Sequence, residues 1–409
     1  MSKMESTFLV IVLFIGFYKA VNIGANDVAN SMGTSVGSKT LTVAKAVILA
    51  AVLNFLGATL VGSNVTDTIR KGIIDPSAFT FEPTVFMYGA FAAMLGSAIF
   101  VSTSTYLKLP VSTTHAVVGG LIGFGLITAG YSCINIDKLI AVVLSWLISP
   151  LFGGILAFLL FTCVKRWILD SPTPFESTKK ILPYLVFLIF MIISLSIFLK
   201  SPNLKFSLIY AVGISISIAF GSGVICYHLL KGYKPGEIDH YVPVERLFGY
   251  LQVLSACSVA FAHGANDVAN AIGLVAAVFH VAQTGSVVME VPVPTWLLAM
   301  GGIGLAIGIC TFGYRVIETV GERITEITPT RGFSAEFSAA TTVLICSKLG
   351  LPISTSHTIV GSVIGVGFAR GINALNLGII KNIVLSWIVT IPIAALLTIF
   401  IYQGIQFTL

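Results

Sequence analysis

Two seven-residue stretches hold much of the chemistry this chain can do. GANDVAN stands at residues 24–30 and again at 264–270. Asn22, Asn26 and Asn30 fall at i, i+4 and i+8, so they share one helical face, with Asp27 beside them. No Lys or Arg lies within either heptad to neutralise Asp27 or Asp267. An ionised aspartate in an apolar chain needs a partner or a cavity. Carboxylate and amide oxygens suit a hard cation such as sodium. The plainer use of such residues is hydrogen bonding between helices, and the duplication favours the ion. The glycine and alanines allow close helix approach or local unwinding. The two contexts differ: Ala262 stands where Asn22 does, and His263 where Ile23 does, so two cation shells would differ.

A second pair of stretches supplies the opposite chemistry. LPVSTTH at 109–115 and LPISTSH at 351–357 read as helix starts, with a proline ahead of hydroxyl caps. Such a tip gathers free amides, hydroxyl donors and the positive end of the helix dipole, which together make an anion site. Ser112, Thr113 and Thr114 from one stretch and Ser354, Thr355 and Ser356 from the other suit a tetrahedral oxyanion held from two sides. Simple capping is the plainer reading of either stretch alone. His115 and His357 read as packed, hydrogen-bonded imidazoles. Cations at the aspartates would favour the anion and the anion would favour them, which is the coupling a symporter needs.

The elements that must position these residues are membrane helices. The 409 residues are 56% hydrophobic and only 10% charged, against roughly 25% charged in a soluble domain. Apolar runs such as 84–101, 141–164, 181–199 and 382–402 are long enough to cross about 30 Å of hydrocarbon as helices. They lack the alternation of a membrane barrel. The first apolar stretch runs straight into the first heptad and reads as a working helix, not a cleaved signal. The six cysteines are scattered, so neither a disulfide framework nor a zinc site is indicated. The net charge of +6 marks cytoplasmic loops and not a nucleic-acid partner.

The heptads are offset by 240 residues, the hydroxyl stretches by 242, and an LSW triplet at 144–146 and 385–387 by 241. One order at nearly one offset implies a duplicated unit. Residues 1–164 form the first inverted repeat, 165–246 two connecting helices with cytoplasmic loops, and 247–409 the second repeat. The expected fold is an all-α polytopic membrane protein of about 12 transmembrane segments, an inverted-topology repeat with broken or re-entrant helices. Fifteen loop bases against seven place both termini outside the cytoplasm.

GANDVANSMGTSVGSKTLT (24–42), VTDTIRKGIID (65–75), LPVSTTH, the second GANDVAN and LPISTSH together resemble the inorganic phosphate transporter (PiT) family of cation-coupled symporters, over essentially the whole chain. The resemblance implies import of inorganic phosphate with sodium by alternating access, in a homodimer in the cell membrane, with no resident cofactor. It implies phosphate contacts from Ser112, Thr113, Thr114, Ser354, Thr355 and Ser356, with Asn26 and Asn266 beside them. It implies sodium ligands at Asp27 and Asp267, joined by Asn22, Asn30, Asn270 and Glu336. Some members carry a glutamate in each half; Glu336 matches one, and Asn54 stands in place of the other. The short stretch between the halves suggests a bacterial or archaeal plasma membrane. Alternatives are proton-coupled phosphate or sulfate transport on the same fold, a channel, and a membrane enzyme acting on a phosphorylated lipid. The enzyme lacks a nucleophile–base pair with an orienting group.

Overall fold

Apolar composition and hydroxyl, asparagine and proline punctuation produce a helical bundle. The computed structural model describes residues 3–62, 73–200, 207–233, 241–287, 291, 293–348 and 353–408. The main helices are α1 (Lys3–Gly37), α2 (Val43–Val61), α3 (Pro83–Tyr106), α4 (Thr113–Thr128), α5 (Ile136–Val164), α6 (Pro174–Lys200), α7 (Leu208–Lys231), α8 (Val242–Thr284), α9 (Thr295–Phe312), α10 (Pro329–Lys348), α11 (Thr355–Arg370) and α12 (Leu377–Thr408). They match the twelve expected segments one for one. Residues 65–72 of VTDTIRKGIID, Leu351–Pro352 of the second hydroxyl stretch, and four of the counted loop bases (Arg70, Lys71, Lys205 and Lys234) lie outside the described residues.

Among the described residues, nine helices are long and apolar enough to cross a membrane. The other three explain themselves. α10 is diluted by Ser, Thr and Glu336. α4 and α11 have 16 residues each, about 24 Å at 1.5 Å per residue, short of the hydrocarbon thickness. Each of these short helices starts inside the bundle, which sets its tip away from the surface. The tips form as their caps dictate: Ser112 Oγ accepts from His115 N and Ser354 Oγ accepts from His357 N.

Packing between the two five-helix sets is reciprocal. α1 packs on α9 while α2 packs on α8; α5 packs on α11 while α12 packs on α4. The close approaches exchange in the same way. A Cβ on Gly24 would stand 2.1 Å from Leu305 O, and one on Gly264 2.0 Å from Asn54 O. The heptad glycines therefore serve close approach of backbones. Local unwinding is not their use here, because α1 and α8 run unbroken through both heptads. Asn54 donates to Ala50 O in its own helix, and its carbonyl is what Gly264 abuts.

At one end of the bundle the loop between α3 and α4 is tied to the segment after α9. Lys108 Nζ lies 2.8 Å from Glu318 Oε2, and Arg323 Nη2 lies 2.5 Å from Glu318 Oε1. Thr319 Oγ1 donates to Lys108 O at 2.8 Å. These contacts hold Lys108 in the left-handed region at φ 61°, a conformation uncommon outside glycine. Further along the same α9–α10 connection, Glu326 pairs with Arg331 at 3.3 Å and Arg370 at 2.8 Å.

Candidate functional site

The two hydroxyl tips and the first heptad meet at one carboxylate. Asp27 is 4% exposed. Its Oδ2 accepts from Thr113 Oγ1 at 2.7 Å, from the tip of α4. Its Oδ1 accepts from Asn30 Nδ2 at 3.1 Å and from Ser356 Oγ at 3.3 Å, the latter on α11. Asp27 is thus bonded to both halves of the chain.

The asparagines of the heptads reach across. Asn30 Nδ2 bonds Ser356 Oγ at 2.9 Å, and Asn270 Nδ2 donates to Thr114 Oγ1 at 3.0 Å. Each heptad's last asparagine therefore touches the hydroxyl tip of the opposite half, at equivalent positions. One atom of this set stands out: Asn30 Oδ1 is buried with no hydrogen-bond donor. A buried acceptor left bare costs about 1–3 kcal/mol and calls for a missing partner.

The remaining expected site residues divide between anchoring and lining. Asn26 anchors: its Nδ2 donates to Thr105 Oγ1 at 3.0 Å and Leu109 O at 3.1 Å, and its Oδ1 accepts from Val111 N at 3.1 Å. Both of its amide protons are committed, so Asn26 fixes the strand of chain that leads into the α4 tip. Asn22 donates to Tyr18 O one turn back on α1. Ser112 and Ser354 are occupied as caps, and Ser354 N also bonds Ser149 Oγ at 3.2 Å. Asp267 is 5% exposed, with His263 Nδ1 3.9 Å from its Oδ2. Thr355 and Asn266 face a cavity of about 330 Å³ between α2, α6, α8 and α10, whose wall also includes Asn30 and His263. The rest of that wall is mainly apolar, the usual make-up of a small-ligand site.

Glu336 forms a separate centre. It is 1% exposed and accepts from three hydroxyls: Thr34 and Ser35 (3.0 Å) on α1, and Ser255 (2.6 Å) on α8. Thr34 lies seven residues beyond Asp27, about 10 Å along the helix. The structure does not join Glu336 to the Asp27 cluster by any hydrogen bond among the described residues. No Lys or Arg pairs with Asp27, Asp267 or Glu336 among the described residues. Among the described residues no group of three or more His, Cys, Asp or Glu gathers to hold a metal ion.

Behind the tips lies a feature that the motifs hint at only through their common offset. The His115 and His357 rings meet edge to face at 5.0 Å; His357 stacks on Trp387 at 3.9 Å, and His115 approaches Trp146 at 6.0 Å. The histidines of both hydroxyl stretches and the tryptophans of both LSW triplets form one aromatic block. Trp387 Nε1 donates to Pro110 O, so the second triplet braces the first tip. The imidazoles are packed as expected but not fully bonded: His115 Nδ1 and both nitrogens of His357 lack partners. Ser145 Oγ sits 3.5 Å from His115 Nε2 and donates to Val142 O. Among the described residues no carboxylate bonds either imidazole, so the block lacks the orienting group of a hydrolytic triad.

A polytopic helical bundle with a buried carboxylate set against two short-helix tips is an architecture of membrane transporters. The profile of the phosphate transporter family matches residues 23–398. A Pyrococcus horikoshii protein provisionally named a phosphate permease is 48% identical over 398 residues, 97% of each chain. The chloroplastic inorganic phosphate transporter 2-1 of Arabidopsis thaliana is 42% identical, covering 95% of this chain and 70% of its own. A solved sodium-dependent phosphate transporter superposes with a TM-score of 0.90 at 41% identity, over 98% of this chain and 100% of that one. The chain belongs to the phosphate transporter family and is a transporter, not an enzyme.

Proposed function

We propose that this chain is a secondary active symporter that imports inorganic phosphate together with sodium by alternating access. The observation that carries the reading is the Asp27 cluster. One buried carboxylate ties the α4 tip to the α11 tip, and beside it Asn30 Oδ1 is buried without a donor. A hard cation suits the Asp27 carboxylate and the unpartnered Asn30 Oδ1 together. Thr113 and Ser356 hydroxyls each have one proton and two lone pairs. With a cation at Asp27 they turn lone pairs to it and release their protons toward an oxyanion. The same hydroxyls then serve both ligands, so each ligand favours the other. Thr114 and Thr355 complete the anion's donors from the two tips, and Asp267 with Asn270 supplies a second cation position. Similarity to a sodium-dependent phosphate transporter supports the choice of ions.

The halves, 1–164 and 247–409, act as inverted repeats, with 165–246 connecting them. The exchanged contacts of α1 with α9 and α2 with α8 support a two-fold relation between them. The two termini lie outside the plasma membrane, as the loop bases suggest, and the functional unit is a homodimer. Rocking one helix set on the other would open the tips alternately to each side.

Labelled-phosphate uptake into proteoliposomes, with sodium and pH gradients imposed separately, tests the reading. Accumulation is expected with an inward sodium gradient at equal pH. Accumulation driven only by the proton gradient would replace sodium by the proton. Equal competition by sulfate would replace the substrate.

A further inference from the structure

α6 and α7 stand outside both five-helix sets and pack on each other. Gly223 of α7 sits against the Pro183 carbonyl and the Phe187 side chain of α6. Between the two helices opens a cavity of about 900 Å³. Its character changes along its length. One end bears Lys179, Lys180 and Lys231, and the other is walled by Phe187, Phe220 and Val224. Tyr184 and Tyr227, 72% and 55% exposed, mark the boundary between the two. α7 is the least buried of the candidate spans, with 17% of its apolar window inside the protein, so the groove faces lipid.

The lysines differ in their commitments. Lys179 lies 3.6 Å from Glu176 and 5.5 Å from the Phe175 ring. Lys180 and Lys231 are exposed and form no ion pair among the described residues. We propose that this groove binds an anionic phospholipid. The headgroup phosphate sits between Lys180 and Lys231, with Lys179 behind, and an acyl chain runs down past Val224 to Phe187 and Phe220. Lys180 and Phe187 are seven residues apart, about 10 Å along the helix, the step from a lipid phosphate into the chain region. Tyrosines belong at that level, and basic pockets between membrane helices suit anionic headgroups. A free phosphate ion would leave the apolar end of the groove, at Phe187, Phe220 and Val224, bare.

Native mass spectrometry of the delipidated protein with added phosphatidylglycerol or phosphatidylcholine tests this. The wild type is expected to retain phosphatidylglycerol in preference. Lys180→Gln with Lys231→Gln should weaken that retention roughly 30-fold, about fivefold per lysine, while Lys180→Arg with Lys231→Arg keeps it. Val224→Trp, which fills the apolar part without touching charge, should lower retention of both lipids. Melting temperatures of each variant confirm that it is folded. Equal retention of the two lipids by the wild type would overturn the proposal. So would displacement of phosphatidylglycerol by inorganic phosphate, or a Gln variant that shifts the monomer–dimer ratio and leaves lipid retention unchanged.

Discussion

Replacing Asp27 by asparagine separates its charge from its shape. The side chain keeps its volume. The amide oxygen can keep the Asn30 Nδ2 and Ser356 Oγ donors (3.1 and 3.3 Å), while the new NH2 faces Thr113 Oγ1 (2.7 Å), which must turn from donor to acceptor. Each bond to an ionised acceptor is worth about 1.5–3 kcal/mol, and each neutral one about 0.5–1.5. Against that loss, the penalty of several kcal/mol for burying a carboxylate disappears. The two effects oppose each other at similar size, so Asp27→Asn should fold with a melting temperature close to the wild type's. Cation binding has no such compensation. A unit charge about 4 Å away at an effective dielectric of about 20 contributes roughly 4 kcal/mol, about a thousandfold in affinity. The assay is a sodium titration of labelled-phosphate uptake by proteoliposomes, with thermal melting of the same preparation. The half-saturating sodium concentration should rise by two to three orders of magnitude, on the order of that estimate. A folded Asp27→Asn protein with the wild-type sodium titration would refute the assignment of the cation to this carboxylate. A protein that no longer melts cooperatively would show Asp27 to be a structural link between the tips.

Other expectations follow from the same geometry. Thr114→Val removes a proposed phosphate donor and leaves Asn270 Nδ2 without its acceptor; phosphate KM should rise about tenfold, from about 1–3 kcal/mol, by a larger factor than the half-saturating sodium concentration, measured in the same uptake assay. Gly264→Ala places a Cβ 2.0 Å from Asn54 O and should destabilise the fold by roughly 1–3 kcal/mol, as overpacking does, read as a lower melting temperature in detergent. Hydrogen bonds from Lys108 and then Arg323 hold the Glu318 carboxyl below its ordinary value of 4.5. A lowered carboxylate contributes stability that is full above the ordinary value and is lost as pH falls through the lowered one. Melting temperature should therefore be flat near neutrality and fall on the acid side, and Glu318→Gln should flatten part of that fall. Glu318 is 36% exposed, so the effect should be on the order of 1 kcal/mol or less.

Helix number and the placement of the two short tips were legible because apolar length and cap chemistry are local properties. Ser112 and Ser354 cap as their sequence position requires. The use of Asn26 was not legible. It shares a face and a motif with Asn30, yet one clamps Leu109 and Val111 while the other reaches Ser356. What separates them is where α3 and α11 lie around α1, a long-range fact absent from spacing. The crossing of Asn30 to the α11 tip and of Asn270 to the α4 tip depends on the two halves exchanging partners, which no single motif records. The His115–His357 block was half visible. The LSW triplets shared the common offset, but stacking of Trp387 on His357 needs the fold. Glycine was ambiguous for a physical reason: it permits both unwinding and close approach, and only the neighbour at Leu305 or Asn54 decides between them.

The central claim is that phosphate and sodium share hydroxyls at the meeting of two helix tips. Equilibrium binding of labelled phosphate to the purified protein, at a series of sodium concentrations, with labelled sodium binding at a series of phosphate concentrations, tests it most directly. Linkage requires that sodium tighten phosphate and that phosphate tighten sodium by the same factor, and Asp27→Asn should abolish both shifts. Phosphate bound with the same affinity in choline as in sodium would contradict the account.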